Sequence, residues 1–139
     1  MIHPNITPEE LQKGSQGTMV DQLGIEFLEV SQKFIKAKMP VDHRTIQPYG
    51  LLHGGASVAL AETLGSIAAQ MNIDGERYVA VGLEINANHV RGMREGFVFG
   101  STNPIHIGKS THIWEIKITD NQERLVCISR ITVAIIEKR

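Results

Sequence analysis

The stretch from Gly54 to Asn72 limits what this chain can fold into more than any other. It holds nineteen residues, a single carboxylate (Glu62) and no lysine or arginine. Leu60, Leu64, Ile67 and Met71 recur at i, i+4, i+7 and i+11, the spacing of one helical face. A helix over this span is about 28 Å long at 1.5 Å per residue. A helix with one side in water carries several charges on that side, and this one does not. It predicts a helix surrounded by other protein, and the rest of the chain must supply the surroundings.

The flanking segments supply them as strands. Val79, Val81, Leu83 and Ile85 alternate with Ala80, Gly82, Glu84 and Asn86, the period-two pattern of a strand over Tyr78–Val90. Further strands are expected near Gly96–Ile105, Thr111–Thr119 and Leu125–Ile136, separated by turn residues at Gly92 and Glu95-Gly96, Gly108-Lys109 and Asp120-Asn121. Ahead of the helix, strands are expected near Ile25–Val30 and Lys33–Met39; in the second, Ile35, Ala37 and Met39 alternate with Lys36 and Lys38. Val41 to His53 contains Pro48 and Gly50 and reads as an ordered loop. Thr7-Pro8-Glu9-Glu10 starts a short helix with a capping box and proline at its first position, and a second short turn covers Met19 to Leu23. The order is ββαββββ after a short N-terminal helix: an α+β fold in which a mainly antiparallel sheet wraps one long central helix. With 139 residues, no internal repeat and no linker-like tract, residues 1–139 are expected to form a single domain.

Composition removes several function classes. The formal net charge of −1 leaves no basic excess for a nucleic-acid partner. No apolar run approaches the ~20 residues of a membrane span, and the first residues lack a secretory pattern. Cys127 is the only cysteine, which excludes an internal disulfide and a cysteine-based zinc site and fits a reducing cytoplasm. It lies in the apolar run Leu125-Val126-Cys127-Ile128 and reads as a small packed thiol. His3, His43, His106 and His112 show no metal-ligand spacing, so no metal and no cofactor is expected; these are read as surface or hydrogen-bonded sheet residues. Trp114, with Ile116 and Ile118 on one strand face, is read as core or interface.

The chemistry concentrates on the helix. Projected at ~100° per residue, Glu62 points away from the leucine stripe, beside Val58, Gly65, Ser66 and Ala69. A lone carboxylate among small and apolar neighbours faces a cavity or another protein surface, the setting of a general base or carboxylate nucleophile. At the other end, His53-Gly54-Gly55 leaves first-turn N–H groups free, backed by the helix dipole, and such donors can polarise a carbonyl and hold an oxyanion. Gly54 and Glu62 are about 12 Å apart along one helix, whereas a reacting carbon needs attacker and donors each within ~3 Å. Two antiparallel copies of the helix can meet that requirement, and the small face with Val58, Gly65 and Ala69 would let them approach. A homodimer with shared active sites follows.

These residues resemble the hotdog-fold thioesterases, in the branch of the Arthrobacter-type 4-hydroxybenzoyl-CoA thioesterase. The resemblance runs through Met39-Pro40-Val41-Asp42-His43-Arg44-Thr45, Gln47-Pro48-Tyr49-Gly50-Leu51-Leu52-His53-Gly54-Gly55, Ala61-Glu62-Thr63-Leu64-Gly65-Ser66, Gly82-Leu83-Glu84-Ile85-Asn86-Ala87-Asn88-His89 and Ser129-Arg130. It covers nearly the whole chain from about Gly24. Similar members include bacterial 1,4-dihydroxy-2-naphthoyl-CoA thioesterases of menaquinone synthesis and the proofreading thioesterases of enterobactin synthesis. The resemblance implies a hotdog fold, hydrolysis of an aromatic acyl-CoA, and a homodimer assembled into a homotetramer. It implies Glu62 as catalytic carboxylate, either nucleophile or base on water. Gly54 N–H and Gln47 would contact the thioester carbonyl, His53 would organise the site and the leaving thiolate, and Ser66 would help place the lytic water. Gln47, His53 and Gly54 then come from one subunit, and Glu62 and Ser66 from the other. Ser66 lies at i+4 from Glu62 and shares its helix face on spacing alone. For the phosphates of CoA, which seek cations and loop N–H groups, the candidates are His89, Arg91, Gly108, Lys109 and Ser110.

Three other readings share parts of this pattern. A thioesterase acting on carrier-protein-bound acyl groups would use the same site. A hotdog dehydratase or hydratase would pair a histidine, His43 or His53, with Glu62, but the His-Phe-Pro-Gly type of loop is absent and His43 is followed by Arg44-Thr45. A non-catalytic acyl-CoA-binding module would need a spare segment or basic stripe that this chain lacks.

Overall fold

The computed structural model describes residues 2–139. Thr7 and Glu10 close the expected capping box at the start of α1 (Pro8–Gly14): the Thr7 hydroxyl accepts the Glu10 N–H at 3.2 Å and the Glu10 carboxylate accepts the Thr7 N–H at 2.8 Å. A four-residue helix, α2 (Met19–Gln22), leads into β1 (Glu26–Val30) and β2 (Ile35–Pro40). The long helix α3 (Gly54–Met71) is followed by β3 (Tyr78–His89), β4 (Phe97–Ile107), β5 (Thr111–Thr119) and β6 (Leu125–Glu137). The element order is therefore the ββαββββ of the sequence pattern, each boundary within two residues. One six-stranded sheet forms in the order β1-β2-β4-β5-β6-β3, every neighbouring pair antiparallel. No helix among the described residues is long and apolar enough to cross a membrane.

The concave face of the sheet packs on α3. Leu60, Leu64, Ile67 and Met71 are buried as the stripe predicts, against Met39, Val98, Ile116, Ile118, Ile131 and Val133 from four strands. Trp114 is fully buried among them, and Cys127 is a packed thiol whose burial pushes its pKa up. Because the sheet curls, it buries more of the helix than one stripe. Gly65 and Ala69, expected beside Glu62 on the open face, are buried instead. A Cβ at Gly65 would lie 2.5 Å from Ile131 Cγ2 and 3.3 Å from Ile116 Cδ1, so this glycine admits the sheet rather than a partner helix. The stripe left half-open consists of Val58, Ala59, Glu62, Thr63, Ser66 and Gln70.

His112 is also buried, near the start of β5, so of the two readings it is a sheet residue, paired with Ile107 and Val133, and not a surface one. Burial pushes its pKa below the ordinary histidine value, and neither its Nδ1 nor the Trp114 Nε1 has a hydrogen-bond partner among the described residues.

The two sheet edges differ. At β1 the edge is covered: Gln12 of α1 donates from its Nε2 to the Ile25 carbonyl and accepts the Phe27 N–H on its Oε1, both at 3.0 Å. At β3 the Ala80 N–H donates to Gln70 Oε1 at 2.9 Å, and the Asn86 carbonyl accepts the Ser129 hydroxyl at 2.8 Å. The remainder of this twelve-residue edge strand carries exposed Val81 and Leu83 and is bent by a bulge between Gly82 and Glu84. A long open edge with apolar side chains is an unusual surface for a chain that stays single.

Candidate active site

The loop from Val41 to His53 is held by a dense local network. The Arg44 guanidinium pairs with the Asp42 carboxylate at 2.7 to 3.2 Å, and this holds the Asp42 pKa at about 2. Buried Thr45 donates its hydroxyl to the Pro40 carbonyl at 2.7 Å, and its own carbonyl accepts the His53 N–H at 2.8 Å. Ile46 and Leu52 form a single bridge, and Gly50 turns the chain with φ +79°, a conformation glycine takes without strain. This network presents Gln47 and His53 in fixed positions.

Gln47 is half-buried, and its Oε1 accepts the Tyr49 N–H. A backbone N–H can bond only to the amide oxygen, so Nε2 is left to donate outward. His53 is the N-cap of α3, and its Nδ1 accepts the Gly55 N–H at 2.7 Å, which leaves the ring proton of the neutral imidazole on Nε2. The His53 carbonyl takes the Ala56 and Ser57 N–H groups at 3.0 and 3.3 Å. Of the first-turn donors, the Gly54 N–H alone has no such partner, and it points out along the helix axis.

Gly54 and Gln47 line one cleft of about 380 Å³, together with Ser57, Leu51, His89 and Arg91. His89, at the end of β3, lies directly over Gly54: a Cβ there would be 2.9 Å from His89 Nε2. Glu62 lines a different cleft of about 330 Å³, walled by Met19, Val20 and Leu23 around α2 and by Ile25, Val58 and Ala59. Its carboxylate rests over Gly82 of β3, where a Cβ would sit 2.6 Å from Oε1, and no donor among the described residues bonds to it. The Glu62 carboxylate and the Gly54 and Gln47 donors therefore occupy separate clefts of one chain, in keeping with the roughly 12 Å between Gly54 and Glu62 along the helix.

The other candidates fall as follows. Ser66 is half-buried one turn beyond Glu62 and lines neither cleft. His89 and Arg91 share the cleft of Gly54. Gly108, Lys109 and Ser110 form the β4–β5 turn, where the Gly108 N–H bonds to the Thr111 carbonyl and the Ser110 carbonyl accepts the Ile135 N–H, both at 2.9 Å. That turn lies beside Ala134 of β6, whereas Val90 and Arg91 bond to Val126 at its other end, roughly 27 Å away at 3.4 Å per residue. Within one chain the two groups are not brought together. The sequence reading missed Ser57 and the α2 wall. The signal for Ser57 was present, a lone hydroxyl three residues after Gly54 on the same face; nothing in the local pattern links Met19 to Glu62.

Residues 49–127 match the family model described as thioesterase superfamily. The chain is 52% identical over 131 residues to the 1,4-dihydroxy-2-naphthoyl-CoA hydrolase of Escherichia coli, covering 94% of this chain and 96% of that protein. It is 48% identical over 132 residues to the proofreading thioesterase EntH of Cronobacter turicensis, covering 94% and 95%. Among solved structures, a mutant thioesterase from Pseudomonas aeruginosa superposes with a TM-score of 0.93 at 43% identity, covering 96% of each chain.

Proposed function

From the premise that this chain belongs to the thioesterase superfamily and is a hydrolase with the hotdog fold, we propose that it cleaves aromatic acyl-CoA esters, 1,4-dihydroxy-2-naphthoyl-CoA first among them, at sites shared by two subunits. That substrate would place it in menaquinone biosynthesis. The observation that carries the reading is the division of the candidate groups: a carboxylate without a partner among the described residues in a largely apolar cleft, and N–H donors likewise free in a second cleft that also holds His89 and Arg91. The walls of Met19, Val20, Leu23, Ile25 and Val58 suit a flat hydrocarbon ring, and the E. coli relative named for the naphthoyl ester supports that choice.

In this reading the thioester carbonyl lies against Gly54 N–H and Gln47 Nε2 of one subunit, with Glu62 of the other facing the carbonyl carbon. Glu62 attacks the carbon or takes a proton from the water that does. The carbonyl pair moves onto oxygen and is held by the two donors. Collapse restores the C=O bond, breaks C–S and expels the CoA thiolate beside His53. Where Glu62 was the nucleophile, water then cleaves the acyl–Glu62 anhydride. In either course the proton lost by water ends on the thiolate, so that the sum is acyl-CoA plus water to acid plus CoA. Ser66 lies one turn from Glu62 to place water. His89 and Arg91 at the mouth of the Gly54 cleft receive CoA phosphates, and Gly108, Lys109 and Ser110 join them only from another subunit. The open β3 edge beside Glu62 supports pairing with a second copy, and a homotetramer is the assembly the family resemblance implies.

The test is release of free thiol from a panel of aryl- and fatty-acyl-CoAs, with Glu62→Ala as control. We expect turnover of aryl esters and a ~10²–10⁴-fold loss in the mutant, the usual cost of a general base. Mixing Glu62→Ala with Gln47→Ala subunits should restore activity, since each mixed dimer rebuilds one intact site. Full turnover by folded, dimeric Glu62→Ala would refute the assignment. Wild-type inactivity on every CoA ester would favour carrier-protein thioesters.

A further inference from the structure

Ser57 is only 1% exposed, yet it lines the cleft of Gln47 and Gly54. Serine and threonine within helices commonly return the hydroxyl to the carbonyl four residues back. Ser15 does so to Leu11 at 2.8 Å, and Thr63 to Ala59 at 2.7 Å. Ser57 does not: the His53 carbonyl four residues back accepts the N–H groups of Ala56 and Ser57 and no hydroxyl. No other group among the described residues bonds to the Ser57 hydroxyl. Its oxygen is not one of the enclosed atoms without a partner, which are His112 Nδ1 and Trp114 Nε1, so the little surface this residue keeps is on the cleft it lines, where an acceptor from outside the chain can reach it.

Its direction says what. Helical Cα–Cβ bonds tilt toward the N-terminus, so the Ser57 hydroxyl overlies the turn that begins at Gly54. Gly54 N–H, Gln47 Nε2 and Ser57 O–H thus border one cleft, and all three lack an acceptor among the described residues. Three donors with no acceptor between them fit an oxygen that gains negative charge.

We infer that Ser57 Oγ donates a hydrogen bond to the thioester carbonyl oxygen, as a third member of the oxyanion site. This rests on the thioesterase reading above. The hydroxyl keeps its proton throughout: attack moves the carbonyl pair onto oxygen, the three donors hold it, and collapse returns it as the thiolate leaves. The role is catalytic because the bond strengthens as charge develops, not because it anchors CoA.

The experiment is steady-state thiol release from benzoyl-CoA and 1,4-dihydroxy-2-naphthoyl-CoA by wild type, Ser57→Ala, Ser57→Cys and Glu62→Ala, with thermal melting of each. Ser57→Ala should lose on the order of 10²-fold in kcat, the cost of one oxyanion donor, with KM within about twofold, as for an interaction made only in the transition state. Its Tm should be no lower than wild type, because the hydroxyl has no partner to lose. Ser57→Cys, with a weak S–H donor, should fall between. Unchanged kcat in Ser57→Ala beside an inactive Glu62→Ala overturns this inference and leaves the thioesterase reading intact. A raised KM at unchanged kcat, or a kcat loss accompanied by a lower Tm, overturns it as well, by assigning Ser57 to CoA anchoring or to packing. Wild-type inactivity on both esters overturns the reading and the inference together.

Discussion

Replacing Gly82 by alanine should disable the enzyme without weakening the fold. A Cβ at this position would lie 2.6 Å from Glu62 Oε1 and 3.6 Å from Glu62 Cδ. An unstrained non-bonded contact is about 3.5 Å, so the carboxylate must retreat by roughly 1 Å. A misplacement of that size can cost about 10²-fold in rate, or about 2.7 kcal/mol of activation free energy at 1.36 per decade. The fold has no reason to object. Gly82 is not among the glycines with positive φ, the neighbour that must yield is the end of a flexible side chain, and alanine is the better strand residue by roughly 0.5–1 kcal/mol. The assay is kcat for thiol release by Gly82→Ala in two backgrounds, wild type and Glu62→Asp, with Tm and sedimentation to check fold and assembly. Aspartate is one methylene shorter and withdraws the carboxylate from residue 82. The alanine should therefore cost far less in the Glu62→Asp background, the non-additivity expected of groups in contact. Full kcat in Gly82→Ala, or an equal loss in both backgrounds, would refute the view that the bare Cα of Gly82 sets the height of Glu62.

Two further predictions concern stability. Gly65→Ala forces a methyl to within 2.5 Å of Ile131 Cγ2 in a packed interface; overpacking of this kind costs about 1–3 kcal/mol, and calorimetry should show a lower Tm with turnover per folded molecule retained. An unchanged Tm would mean that the sheet yields freely at this point. For His112, burial holds the folded pKa below the unfolded value of about 6.5. As pH falls through that value the unfolded chain takes up the proton first, so the contribution of neutral His112 is complete above it and declines on acidification. Urea midpoints should therefore drop between pH 7.5 and pH 5.5, and drop less in His112→Gln; parallel curves for the two proteins would contradict this.

The fold was legible because it is written in two local periods. Ile35, Ala37 and Met39, then Val79, Val81 and Leu83, alternate as strands must, and Leu60, Leu64, Ile67 and Met71 keep to one face of a helix that has no charge to spare for water. The candidate site was half legible for the same reason: Gln47, His53 and Gly54 lie within eight residues, and the rise of a helix alone separates them from Glu62. What stayed hidden depends on curvature and on contacts across the chain. The curl of the sheet buries Gly65 and Ala69, so the face open beside Glu62 is narrower than a helical projection implies. The bulge after Gly82 resets the pleat of β3, so that Gly82 and Ile85 oppose Val133 and Ile131, two residues of the buried face of β6. No alternation pattern announces that Gly82 will be the floor under Glu62. Alternation in fact continues unbroken in the sequence through Leu83 and Ile85, so a reading by period places Gly82 on the face opposite Ile85. The bulge reverses this, and it does so on the open edge where a second copy would pair. One backbone irregularity therefore bears on both requirements of the proposed site, the resting place of the carboxylate and the strand surface offered to the partner.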